Sequence, residues 1–314
     1  MILALRALKL GDLLAAVPAL RAIRRYWPDQ QIVLATSGWL YPIVALTDCV
    51  DQLIPVGGLE PLPAAARFPD VAINLHGAGP QSNQILDQLG PGRRLGHRGH
   101  GWPGPDWLDD QHERERWCRM LLAHGIPAHA GDLYLREPDA ASPAPGAVVV
   151  HPGAAYGSKR WPVDRFATVV GELAAAGHRV VITGGDAERP LAKAAADGSA
   201  ADDSAAGGRA RVLAGRTSLP ELAALIADAA LVVSGDTGVA HLAYAYRTPS
   251  VTLFGPAPAS EWGPPPGPHA ALSADDRRRG EQFTDDPDPA LLGVSPADVL
   301  AAAATVMDSQ ARVG

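Results

Sequence analysis

Residues 231–241 read LVVSGDTGVAH. Three apolar residues end in a polar turn punctuated by Gly235 and Gly238, and a helical pattern runs on from Val239 to Tyr246. A short buried strand, a glycine-rich turn and a helix are the repeating half of a parallel α/β sheet. The first N–H groups of such a helix have no partner one turn earlier. With the helix dipole, those of Thr237, Gly238 and Val239 suit a diphosphate. Asp236 is misplaced beside an anion unless it orients a sugar hydroxyl or caps the helix. His241 stands about one turn into the helix, either in the same pocket or as an ordinary structural histidine.

The alternation extends in both directions. Apolar runs at 2–5, 31–35, 71–75, 147–150, 179–183, 231–234 and 250–254 read as strands. Helical patterns occupy 13–26, 164–176, 219–229 and 239–246, which predicts parallel sheets with helices on both faces. The stretch EPDAASPAPG at 137–146 is the best linker, so two domains are expected over 1–140 and 146–314. The low-complexity run 194–208 reads as a surface loop. Open parallel sheets bind ligands at the C-terminal ends of their strands. Two such edges facing each other would make the cleft between domains the site.

Three further loops follow strands. In Lys9-Leu10-Gly11-Asp12, Gly11 allows a tight turn close to a ligand, and Asp12 is either a helix N-cap or a general base. Pro18 predicts a kink or a late start for the helix there. In HPGAAYGSKRWP at 151–162, Gly153 and Gly157 make a loop whose N–H groups could face phosphate oxygens. Lys159 adds a positive charge or is a plain surface lysine, and the loop lacks the ending of a Walker A motif. Phe254–Gly263, rich in Gly and Pro, is a rigid cleft wall or an ordinary loop.

Composition narrows the classes. A chain of 314 residues, 47 % hydrophobic and 19 % charged, is globular and long enough for two cores. A net charge of −7 argues against nucleic-acid binding. Cys49 and Cys118 form no paired motif and suit a reducing cytoplasm. No apolar run reaches the roughly 18 residues of a membrane span, and Arg6, Lys9 and Asp12 interrupt any signal peptide. The acidic pairs 109–110, 202–203, 275–276 and 285–286 follow no predicted strand, and His97, His100 and His112 lack ligand spacing, so no metal is expected. The absence of GxGxxG after the first strand counts against a dehydrogenase.

Taken together, these motifs resemble the bacterial ADP-heptose heptosyltransferases of glycosyltransferase family nine. The matching stretches are LKLGDLLAAVPAL (8–20), VDQLIPV (50–56), DVAINLHG (70–77), RRLGH (93–97), HPGA (151–154), SKRWP (158–162), ITGG (182–185), SGDTGVAHLAYA (234–245), LFGP (253–256) and the last helix, SPADVLAAAATVM. The resemblance implies the GT-B fold of two Rossmann-like domains, with the acceptor bound by the first and the nucleotide sugar by the second. It implies inverting transfer without a metal or other cofactor, with Asp12 as base beside Gly11. It implies a donor pocket of Gly153, Ala154, Ser158, Lys159, Asp236, Thr237, Gly238 and His241. Thr217 would lie near the adenine and Glu188 near the ribose.

The expected reaction moves a heptose or related sugar from an ADP-type donor to a hydroxyl or amine. Core lipopolysaccharide is strongly anionic and the chain is acidic, while the Ala-, Pro- and Arg-rich composition suits a GC-rich genome. A small natural-product precursor is therefore the expected acceptor, with a lipopolysaccharide core as the alternative. A cytoplasmic enzyme is expected, with peripheral membrane contact open. Two competing readings are a nucleotide-sugar-binding protein without catalysis, which Asp12 counts against, and an epimerase or oxidoreductase.

Overall fold

A computed structural model describes residues 1–197 and 210–311. The chain divides into two compact units, Met1–Arg136 and Glu137–Gly314. The proline-rich stretch 137–146 thus belongs to the second unit.

The first unit holds β1 (Ile2–Leu5), α1 (Leu10–Tyr26), β2 (Ile32–Thr36), α2 (Tyr41–Ala45), β3 (Gln52–Pro55), β4 (Val71–Asn74), α3 (Gln81–Asp87), β5 (Arg93–Leu95) and α4 (Glu113–Ala123). Its strands are parallel in the order β3-β2-β1-β4-β5. The second unit holds β6 (Val148–His151), α5 (Val163–Ala175), β7 (Val180–Ile182), α6 (Arg189–Ala196), β8 (Ala210–Val212), α7 (Leu219–Ala227) and β9 (Leu231–Gly235). It continues through α8 (Gly238–Tyr246), β10 (Ser250–Leu253), α9 (Ala259–Trp262), β11 (His269–Leu272), α10 (Pro289–Leu292) and α11 (Pro296–Ala311). Its sheet, also parallel, runs β11-β10-β9-β6-β7-β8.

Each sheet reverses direction once. From β1 the chain moves out through β2 to β3, then returns to β4 on the other side of β1. From β6 it moves out to β8, then returns to β9 on the other side of β6. The loops leaving β1 and β4, and those leaving β6 and β9, therefore part in opposite directions and open a crevice. Every residue of β1, β2, β4 and β9 is buried, as strands covered on both faces require.

Helix α1 departs from expectation. It starts at Leu10 and runs through Pro18 without ending, so Gly11 stands inside the first turn rather than in a turn before it. An internal proline costs roughly 3 kcal/mol. Leu13, Leu14, Val17, Leu20 and Ile23 are all buried on the same helix, and each contributes about 1.5–3 kcal/mol, which outweighs that cost. Helix α6 takes in residues 194–196 of the expected surface loop. Asp197 caps that helix, and the remainder of the low-complexity run, 198–208, with the acidic pair 202–203, lies outside the described residues. Among the described residues no helix is long and apolar enough to cross a membrane.

Candidate functional site

In the second unit, strand pairing sets His151 of β6 beside Ser234 of β9, at the point where the sheet reverses. The two loops leaving there meet through Lys159, whose Nζ lies 2.8 Å from Asp236 Oδ2. Across the same carboxylate, His241 Nε2 stands 3.8 Å from Asp236 Oδ1. Burial pushes the Asp236 carboxyl up, but the facing His241 ring and the Lys159 charge outweigh it and hold the pKa at about 2. Asp236 therefore orients a cation and does not cap α8. Thr237 occupies the N-cap without a side-chain bond, and its Oγ1, like Ser234 Oγ, is buried with no partner among the described residues. Gly238 and Val239 open α8, where N–H groups lack intrahelical acceptors. A cation, two unsatisfied hydroxyls and a helix N-terminus so grouped can bind an anion with hydroxylated substituents.

The Lys159 loop is held from below. Ser158 is fully buried. Its Oγ donates to the carbonyl of Gln282 at 2.6 Å, its N–H donates to Thr284 O, and its own carbonyl accepts from Asp288 N–H. The Ser158 side chain thus anchors the 282–288 segment and is not turned toward a ligand. A Cβ at Gly157 would collide with the carbonyl of Asp285, so only glycine fits under that segment. Ala154 is buried, and its carbonyl accepts from Arg160 Nε at 2.9 Å, closing the loop on itself.

Glu188 and Gly153 also come together. A Cβ at Gly153 would collide with the Glu188 carboxylate, which in turn accepts from Gly185 N–H at 2.7 Å. His151 Nδ1 lies 3.0 Å from Thr183 Oγ1. Burial pulls the His151 pKa down against the opposing charge of Glu188. Thr217 is half-buried just before Ser218, which caps α7. The wall at 254–263 does reach the site. Arg278 Nη1 donates to the carbonyls of Gly255 and Ala257, and the Trp262 ring stands edge-on to His241 at 6.0 Å.

In the first unit the crevice lies between the loops after β1 and β4. Asp12 is the third residue of α1, and Lys9 holds the N-cap position. The Asp12 carboxylate accepts from Lys9 N–H at 3.2 Å and is only partly exposed. Buried Arg6 fixes its surroundings. Arg6 donates to the carbonyl of Asp12 at 2.6 Å, to the carbonyl of Leu75, and to Glu113 Oε1 at 2.9 Å. Glu113 also accepts from Trp117 Nε1 at 2.9 Å and Arg116 Nε at 3.0 Å. Burial raises the Glu113 pKa, but Arg6 and its companions more than reverse this.

His76 is a site residue that side-chain patterning did not single out, although it lies in the quoted stretch DVAINLHG. Its Nδ1 accepts from Ala7 N–H at 3.2 Å, tying the two crevice loops together. Its own N–H donates to Asn74 Oδ1 at 2.9 Å, and Asn74 Nδ2 donates to Ser82 Oγ at 2.9 Å and Asn83 Oδ1 at 2.5 Å. Burial and the Arg6 charge lower the His76 pKa, with Asp12 opposing. A cavity of about 550 Å³ lined by Arg93, Arg94 and His124 opens beside the edge strand β5. Among the described residues no group of three or more His, Cys, Asp or Glu could hold a metal.

The chain has clear relatives. The profile of glycosyltransferase family 9 (heptosyltransferase) matches residues 130–285. Lipopolysaccharide heptosyltransferase 3 of Escherichia coli K12 is 36 % identical over 293 residues, which covers 81 % of this chain and 82 % of that protein. Two solved structures share the fold. The ADP-heptose lipopolysaccharide heptosyltransferase II of E. coli has a TM-score of 0.79 at 22 % identity, over 98 % of this chain and 99 % of that one. An E. coli heptosyltransferase solved with ADP has a TM-score of 0.71 at 20 % identity, over 97 % and 99 %.

Proposed function

The chain belongs to glycosyltransferase family 9, the heptosyltransferases, and we propose that it transfers a heptose from an ADP-linked donor to a sugar hydroxyl of a lipopolysaccharide core. The observation that carries the donor half is the Lys159–Asp236 pair at the reversal point of the second sheet, with the unsatisfied hydroxyls of Ser234 and Thr237 beside it. The relative solved with ADP supports adenine as the base. The acceptor reading follows the 36 % identity to a lipopolysaccharide heptosyltransferase along most of both chains. It replaces the small natural-product precursor that composition had favoured.

The chemistry is inverting displacement. The acceptor oxygen attacks the anomeric carbon as the bond to the diphosphate breaks, and ADP leaves with the electron pair. Asp12 takes the acceptor proton. Lys159 and the first N–H groups of α8 bind the departing diphosphate, where charge develops. Asp236 keeps the Lys159 ammonium in place and offers its carboxylate to sugar hydroxyls. Gly153, Ala154, Glu188 and Thr217 belong to the nucleoside side, and His241 to the sugar side. No step calls on a metal.

A donor screen tests the reading. The protein is incubated with ADP-, GDP-, UDP- and TDP-sugars and a heptose-deficient core acceptor, and nucleoside diphosphate release is followed. Acceptor-dependent release of ADP from ADP-heptose is the expected result. Turnover of another nucleotide series alone would refute the donor assignment, and ADP release with small amines but not with the core would refute the acceptor.

A further inference from the structure

The reversal point of the first sheet holds a second group besides Asp12. An amide N–H can only donate, so the bond from Ala7 N–H to His76 Nδ1 leaves that nitrogen as acceptor and fixes the ring proton on Nε2. Nε2 has no partner among the described residues and is not among the buried polar atoms left unsatisfied, so it is open to a ligand. The ring is half-buried on the loop after β4, and Ala7 sits in the turn between Arg6 and Lys9, both of which bond Asp12. Protonating Nδ1 would break the Ala7 bond, and burial with the nearby Arg6 charge opposes it further. The crevice thus offers a carboxylate acceptor from one loop and a neutral N–H donor from the other.

We propose that His76 contacts the acceptor: its Nε2–H donates to an oxygen next to the hydroxyl that Asp12 deprotonates, so this crevice selects a sugar with two neighbouring oxygens. A single hydroxyl can bond only one of the two groups well, whereas a vicinal pair satisfies both. The inference rests on the reading of Asp12 as base.

Two variants separate a ligand contact from a structural bond. In His76→Asn the amide oxygen can still accept from Ala7 N–H, but no donor reaches the Nε2 position. In His76→Gln the terminal NH₂ replaces the Nε2 donor and the Ala7 bond is lost. His76→Asn should lose roughly 10-fold in kcat/KM for the acceptor with unchanged ADP affinity, while His76→Gln keeps most activity. Imidazole ¹⁵N spectra of the wild-type protein, titrated with de-acylated heptose-deficient core oligosaccharide, should show the Nε2–H form and a shift on binding. Full activity in His76→Asn, or an unmoved His76 signal under saturating oligosaccharide, would overturn the proposal. Asp12→Asn keeps the two readings apart. If His76 responds to the oligosaccharide while Asp12→Asn turns over normally, the base assignment fails and the His76 contact stands.

Discussion

Lys159 and Asp236, 77 residues apart in the chain, form a 2.8 Å ion pair across the ends of neighbouring strands β6 and β9. Asp236 is buried and its carboxyl stays ionised down to about pH 2. The carboxylate is therefore charged throughout the neutral range, and it holds the Lys159 side chain in place across the sheet reversal.

Removing that ammonium should be felt by the donor. One charge-assisted contact is worth roughly 1.5–3 kcal/mol, so Lys159→Ala is expected to weaken ADP-sugar binding by about 10- to 100-fold. Calorimetric titration with ADP checks this, and an unchanged affinity would make Lys159 a structural partner of Asp236 alone.

Asp12→Asn separates chemistry from folding. The amide oxygen of Asn can still accept from Lys9 N–H, so α1 should start as before. General-base catalysis typically contributes 10²–10⁴-fold, and turnover should fall by about that factor while donor affinity hardly changes. Steady-state kinetics beside ADP titration gives the answer, and near-normal turnover would leave the base unassigned.

Excess EDTA should leave transfer intact. The cationic Lys159 and the start of α8 supply the charge that a divalent ion would otherwise bring. Loss of product formation under EDTA, regained with magnesium or manganese, would contradict this.

The first unit should lose stability in mild acid through His97. Its ring is buried between Trp107 and Trp117, with neither nitrogen bonded among the described residues. Burial and the charges of Arg119 and Arg116 pull its pKa from 6.5 to about 4. The unfolded chain thus binds a proton before the folded one does. The contribution is complete above pH 6.5 and is lost as pH falls through about 4, to a total of roughly 3 kcal/mol. His97→Phe keeps an aromatic ring there and should flatten that slope in denaturant unfolding between neutral pH and pH 4. An equal slope in both proteins would assign the acid sensitivity elsewhere.

Seven strands are readable from apolar runs, and they are the inner strands of both sheets: β2, β1 and β4 in one, β10, β9, β6 and β7 in the other. The four that are not, β3, β5, β8 and β11, are the edges. Edge strands bury one side only: QLIP, RRL and ARV hold at most two adjacent apolar residues, and the apolar part of HAAL is mostly alanine, without the β-branched residues that mark a strand. Loops at the sheet reversals are legible for the same reason, because they follow inner strands. What the sequence hides is side-chain pairing at long range. Nothing in KRWP or GDTG says that Lys159 meets Asp236, and nothing around Ser158 foretells its bond to Gln282. His76 was missed because its signal is a backbone donor, Ala7 N–H, from another strand's loop.

The polarity that hides the edge strands also guards them. An unpaired strand edge invites a second chain to add on in register. Here β5 carries Arg93 and Arg94, β8 carries Arg211, and β3 ends on Pro55, which has no N–H to donate. Each edge is also short, three or four residues long. Two sheets with strongly hydrophobic interiors can thus be made at high concentration in a crowded cell with little tendency to zip together into aggregates.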